Sequence, residues 1–196
     1  LIILGLGAAA SVVAWTLKRQ QPQRPARERV IKKAFTRNPI IEISEVQVSQ
    51  KTVEPDKAFE EDDDWLKKVF LKVKNISDKP IVSLEITVDF PDTAVSGSIM
   101  SYKLVFGRRP GSRLPQKHDP IFLMPGDMLE VPLSKEYDKI KTFVERRHGI
   151  ASIHNAELAI GFVVFADKTA WGAGNFYRQD PDNPDHYINV GNTPPQ

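Results

Sequence analysis

The sequence predicts a mainly β protein, an immunoglobulin-like two-sheet sandwich with one short helix, carried behind a single N-terminal transmembrane helix. Three observations predict it. Residues Leu1 to Leu17 contain no charge and stop abruptly at Lys18-Arg19. From Asn38 onward the apolar residues mostly recur with period two, in about seven short runs separated by polar turns. Only one stretch, near residues 134–149, changes to helical spacing.

The apolar run comes first. At 1.5 Å per residue it makes a helix of about 25 Å, slightly under the hydrocarbon thickness, so the expected span begins before Leu1. A cleavable signal peptide is the competing reading, with Ala8-Ala9-Ala10 and Val12-Val13-Ala14 as cleavage sites; a retained signal-anchor over residues 1–17 is the expectation. A buried core helix fits poorly, because nothing polar interrupts the run and no amphipathic stripe exists. The small residues Gly5, Ala8 and Ala9 let a second helix approach closely, which makes integral membrane subunits the expected partners.

Charge is distributed unevenly. The formal net charge is +2, yet the juxtamembrane linker, residues 18–38, holds eight Lys and Arg against Glu28, a balance of +7 that leaves −5 on the remainder. An acidic folded body argues against a nucleic-acid module, which needs positive charge on its own surface. Lys18, Arg19, Arg24 and Arg27 are instead placed to meet anionic lipid headgroups, at about 1 kcal/mol per charge near the surface. With no cysteine, disulfides and thiolate metal sites are excluded. Behind the anchor and linker stand one domain, residues 39–190, large enough to bury a core unaided, and a tail, 191–196.

Along the linker, Gln20 to Pro25 is a proline-punctuated spacer, and Arg27 to Phe35 predicts a short helix. Ile41 and Ile43, then Val46 and Val48, read as one strand whose change of phase predicts a bulge. Val69, Leu71 and Val73 form the next strand, Asn75 to Pro80 a turn, and Leu84, Ile86, Val88 and Phe90 a third. Ile99, Tyr102, Leu104 and Phe106 predict a fourth, followed by a long basic loop from Gly107 to Pro120. Leu129, Val131 and Leu133 lead into the helix, with Ser134 as its expected N-cap, Tyr137, Ile140, Phe143 and Val144 on its inner face and Gly149 as its stop. Leu158, Ile160, Phe162 and Val164 resume strand spacing; because Val163 and Phe165 are also apolar, this reads as a central strand buried on both faces. The chain then turns at Ala166 to Thr169 and returns through Trp171 to Tyr177.

Candidate sites are few. His118, His148, His154 and His186 lack the spacing of a zinc site and read as scattered surface residues. Glu60 to Asp64 concentrates carboxylates but lacks the glycine and distal ligand of a calcium loop, so it reads as a solvated turn that guards a strand edge. Asp180, Asp182 and Asp185 have a better ligand density and are the weak metal candidates, although Asx residues beside prolines also build turns. Gly172-Ala173-Gly174 is too short for a dinucleotide fingerprint and marks a bulge or a close approach of another chain segment. Arg108, Arg109 and Arg113 stand in a loop long enough to need a role, and docking of a partner is the reading their planar guanidinium groups favour. No nucleophile elbow, phosphate loop, paired carboxylates or redox motif appears, so the sequence offers no catalytic residue and no cofactor.

Several segments together carry a likeness. Asp63-Asp64-Trp65-Leu66, Val73 to Ile81, Leu123-Met124-Pro125-Gly126, Phe165 to Trp171 and Arg178 to Pro184, in that order, resemble a group of uncharacterised exported bacterial proteins common in Acidobacteria. The similarity covers nearly all of residues 39–190. It implies export and a sandwich, and no chemistry. The basic residues after the span would hold the body in the cytoplasm by the positive-inside rule, whereas the resemblance puts it on the periplasmic side of the cytoplasmic membrane. The expectation is therefore a non-catalytic accessory or scaffold subunit of a larger membrane complex, respiratory or photosynthetic, touching integral membrane subunits and lipid, with no nucleic acid and no small-molecule substrate. The alternative is a free-standing membrane-anchored binding module for envelope polymers or secreted proteins, with Trp171, Phe176 and Tyr177 as the cluster available for a sugar.

Overall fold

A computed structural model describes residues 26–114, 119–148 and 152–193 of the chain. The expected transmembrane helix, Gly5, Ala8, Ala9, and the headgroup candidates Lys18, Arg19 and Arg24 lie outside the described residues. Among the described residues no helix is long and apolar enough to cross a membrane. The body is mainly β, in two sheets with one short helix.

In chain order the strands are β1 (Arg27–Lys33), β2 (Ile41–Val48), β3 (Lys51–Thr52), β4 (Ala58–Glu61), β5 (Val69–Asn75), β6 (Ile81–Val95), β7 (Ser98–Gly107) and β8 (Met128–Pro132). Helix α1 (Tyr137–His148) follows, then β9 (Asn155–Phe165), β10 (Thr169–Gly172), β11 (Asn175–Gln179) and β12 (Tyr187–Gly191). The smaller sheet runs β3-β2-β5-β8, all antiparallel. In the larger sheet β6 lies between β7 and β9. The other edge of β9 is shared. Its first half pairs in parallel with β1, Val30 opposite Asn155 through Lys33 opposite Leu158, and its second half pairs with β10. Beyond β1 lies β4, and beyond β10 lie β11 and β12.

The alternating runs bury the faces expected of them. Val69, Leu71 and Val73 on β5 and Leu84, Ile86, Val88 and Phe90 on β6 point into the core between the sheets. The phase change in β2 is a bulge at Ser44, whose hydroxyl donates to the Lys72 carbonyl. Tyr137, Ile140 and Val144 bury the inner face of α1. Ser134 is not its cap: it falls inside a 3₁₀ turn, Leu133–Lys135, that leads into the helix. On β7 the inward residues are Met100 and Leu104, so Ile99 has the opposite parity and is exposed.

Arg27 to Phe35 is not helical, and the linker ends earlier than its composition predicts, because residues 27–33 are a strand of the larger sheet. Arg29 and Ile31 alternate inward. The Arg29 side chain is 0 % exposed. Its Nη2 donates to Asp63 Oδ1 at 2.7 Å; Nη1 donates to the Ile153 carbonyl at 2.8 Å, to Ser152 Oγ at 3.0 Å and to His154 Nδ1 at 3.2 Å; Nε reaches the Glu61 carbonyl at 3.4 Å. A guanidinium only donates, so Nδ1 of His154 is the acceptor. Trp65, beside this cluster and fully buried, donates its indole N–H to the same Ile153 carbonyl at 2.8 Å.

The acidic run is accordingly a half-buried seam rather than a solvated turn. Glu61 and Asp62 share Lys68 at 2.7 and 2.9 Å, Asp63 holds Arg29, and Asp64 meets Lys141 at 3.1 Å. Ser152, then Arg29, hold the Asp63 carboxyl below its usual 3.8. That stabilisation is complete above the unfolded-state value and is lost as pH falls through the depressed folded one. Removing one partner of a buried pair leaves an uncompensated charge, so Asp63→Ala is expected to lower unfolding free energy by about 3 kcal/mol. The neighbouring exposed Glu60→Ala is expected to stay within about 0.5 kcal/mol of the parent, both read by urea denaturation at pH 7.

Candidate binding groove

A bulge in β9 shapes an open groove on the outer face of the larger sheet. Ile86 of β6 faces Ile160, but Glu85 faces Phe162, which leaves Gly161 as the extra residue. The insertion shifts the side-chain phase: Leu158 points into the core, Val163 and Phe165 resume there, and Phe162 turns to the outer face. Past the bulge the strand is buried on both faces, as expected of a central strand: Val163 and Phe165 face the core, and Val164, of the opposite parity, is also 0 % exposed between β6 and β10. A Cβ at Gly161 would stand 2.8 Å from Glu85 Oε1 and 3.0 Å from Thr87 Oγ1. The tighter constraint is at Gly172, where a Cβ would lie 2.7 Å from the Phe162 ring and 3.2 Å from the Gly161 carbonyl oxygen. The expected close approach at Gly172-Ala173-Gly174 is thus this ring.

Phe162 is the centre of an aromatic group. Tyr177 and Tyr187 each meet it edge-on, with centroids 5.5 Å away, and the Arg109 guanidinium lies 5.3 Å from its centroid. Lys103 and Glu85, paired at 2.9 Å, also line the groove. Asp185 and His186 close the end of an open groove of about 340 Å³. The Tyr187 hydroxyl is buried and has no hydrogen-bond partner among the described residues. Burial, with Asp185 adding to it and Arg109 opposing, raises its pKa above 10.0.

The arginine loop is fixed where it borders this groove. Gly107 has φ +75 and its missing Cβ would collide with the Val82 carbonyl, which then accepts the Arg108 N–H at 3.0 Å. Gln179 Nε2 donates to the Pro110 carbonyl at 2.6 Å, Ser112 donates to Asp185, and the Arg113 N–H reaches Asp185 Oδ2 at 3.1 Å. Of the three arginines, Arg109 reaches the groove, while Arg108 and Arg113 are exposed. Arg27, the remaining headgroup candidate, stands exposed on β1 opposite Glu61.

The aspartates of residues 180–185 do not converge on a point. Asp180 accepts the N–H groups of Asp182 and Asn183, as a turn-former does, and Asp185 is occupied by the arginine loop. Among the described residues no group of three His, Asp or Glu side chains is placed to hold a metal ion. His186 is exposed, 3.6 Å from Asp180, and His154 serves Arg29; His118 lies outside the described residues. Trp171 and Phe176 face the core, so of the expected aromatic cluster Tyr177 alone looks outward. Sequence reasoning misses Phe162 and Tyr187 as members of this group. The available signal is the lone glycine before Phe162 inside a strand pattern, which marks a bulge.

Comparison with family models, with curated proteins and with solved structures finds no match. The groove offers flat π surfaces, a guanidinium over a ring, and carboxylates engaged in pairs or loop contacts. The Ser112 hydroxyl and then the Arg113 and Leu114 N–H groups hold the Asp185 carboxyl below its usual 3.8. A depressed folded pKa means that loop docking is complete above the unfolded-state value and is lost as pH falls through the depressed one. The Arg113 amide resonance is therefore expected to keep its position from pH 7 to about pH 4.5 and to move only below about pH 4. In Asp185→Asn the same resonance is expected to show no such acid transition.

Proposed function

We propose that the protein is a non-catalytic binding module, an accessory subunit that docks a partner polypeptide of a larger membrane assembly in the groove around Phe162. The observation that carries this reading is the stacking of Arg109 on Phe162 between Tyr177 and Tyr187, on a loop pinned by Asp185. Arginine and aromatic side chains dominate the energetics of protein interfaces, and a pre-ordered arginine loses little entropy on binding. The charged groups that line the groove are matched to one another or to the loop, an arrangement suited to recognition more than to proton transfer.

The strand order supports an immunoglobulin-like reading of the sandwich. β2, β5 and β8 form one layer and β7, β6, β9 and β10 the other, which is a Greek-key partition of consecutive strands. Attachment to the bacterial cytoplasmic membrane rests on the uncharged run Leu1 to Leu17 and the basic residues behind it, and the periplasmic side rests on the resemblance to exported proteins. One observation favours the free-standing polymer-binding module: the groove is aromatic. Arg109, however, already occupies a ring face that a sugar would need.

The test is retention in the native assembly. Membranes carrying the parent or Arg109→Ala chain are solubilised gently and resolved on a native gel. The parent is expected in a large multisubunit band, and Arg109→Ala is expected to lose about tenfold in retention or more, as an interface anchor does, with thermal unfolding within about 2 °C of the parent. A lone small species for the parent, or unchanged retention of the variant, contradicts the proposal.

A further inference from the structure

The chain enters the body at one end of the larger sheet, and that end carries an apolar hairpin tip. Val30 of β1 lies opposite Asn155, and Asp89 of β6 lies opposite Glu157. Both strands continue past the start of β9. Counted from the level of Asn155, Arg27 stands three residues beyond, about 10 Å at strand rise, whereas Val95 stands about one rung beyond, about 3 Å, because β6 carries extra residues between Phe90, opposite Met100, and Val95, opposite Ser98. Ala26, the first described residue, thus lies at the same end of the sheet as the turn that joins β6 to β7, and somewhat beyond it.

That turn is tight and firmly held. Ser96 and Gly97 both have positive φ, +50 and +82, the conformation of a two-residue hairpin turn whose twist matches its strands. Asp92 accepts the N–H groups of His154 and Asn155 at 2.5 and 2.9 Å, and the Asn155 amide at 2.6 Å. Thr93, buried, donates to the Phe90 carbonyl at 2.6 Å and accepts the Met100 N–H at 2.8 Å. On this anchored tip Val95 is 58 % and Ile99 45 % exposed.

We propose that the β6–β7 tip places Val95 and Ile99 in the lipid interface beside the N-terminal segment, so that the body stands on the bilayer in one orientation. The inference rests on the reading of residues 1–17 as a membrane anchor. Between Leu17 and Arg27 the chain reaches about 30 Å at full extension, and Lys18, Arg19 and Arg24 draw that length toward an anionic surface. The competing orientation is inverted. Ile76, Phe122, Met124 and Met128 are also exposed and lie toward the opposite end, near the β5–β6 turn. The direction from which β1 enters favours the hairpin tip.

The chain has no cysteine, so single labels are unambiguous. The full-length chain carrying Ser96→Cys or Asp78→Cys, each with an environment-sensitive fluorophore, is reconstituted into vesicles of phosphatidylethanolamine and phosphatidylglycerol containing a lipid with a shallow nitroxide. The expected result is a blue-shifted Ser96 label quenched about threefold or more above the Asp78 label, with the difference abolished by Val95→Asp and Ile99→Asp together. Flotation of the same vesicles separates the two ideas. A chain that fails to float removes the anchor and the inference with it; a chain that floats with an unquenched Ser96 label, or with Asp78 quenched more strongly, overturns the inference alone.

Discussion

The buried Arg29 guanidinium is the constraint on which the body depends. A charge taken wholly out of water is tolerated only where its donors are satisfied, and here the acceptors come from two separate stretches of the chain: Glu61 and Asp63, from the end of β4 to the Trp65 turn, and Ser152 to His154 ahead of β9. Neither stretch satisfies the cation alone. Meeting both requires β1 to lie between β4 and β9, which fixes the parallel pairing and the register of Val30 on Asn155. Trp65 ties the same carbonyl to the apolar core, so polar satisfaction and hydrophobic burial specify one arrangement.

This arrangement connects the N-terminal segment to the binding groove through a single strand. β9 carries β1 on its first half and, past the Gly161 bulge, presents Phe162 on its second. β1 and the groove thus share one strand, so residues 27–33 and Phe162 keep a fixed relation to each other.

The sheets are legible in the sequence where one face is uniformly apolar. β5 and β6 follow plain alternation, and the helix follows 3.6-residue spacing, because each buries one face and wets the other. β1 is hidden because its inward position holds an arginine: among Arg24, Arg27, Lys32 and Lys33, nothing in the sequence marks Arg29 as the one whose partners lie 32 to 125 residues away. The outward turn of Phe162 is hidden for a different reason. A bulge reverses parity, so an apolar residue after Gly161 looks like core until its pairing with Glu85 is known. The arginine loop stands out by its length and composition, but its anchor, Asp185, resembles a metal ligand in the bare sequence, since a carboxylate beside prolines suits an ion as well as a loop.

Native-state hydrogen exchange of β1 tests the central claim most directly. The Val30 amide donates to the His154 carbonyl at 3.1 Å and the Ala34 amide to the Leu158 carbonyl at 2.9 Å. If Arg29 locks this strand into the core, both amides exchange only through global unfolding, with protection equal to that of β6 and β9. Exchange of Val30 and Ala34 at the rate of an open stalk, while β6 and β9 stay protected, would contradict the account.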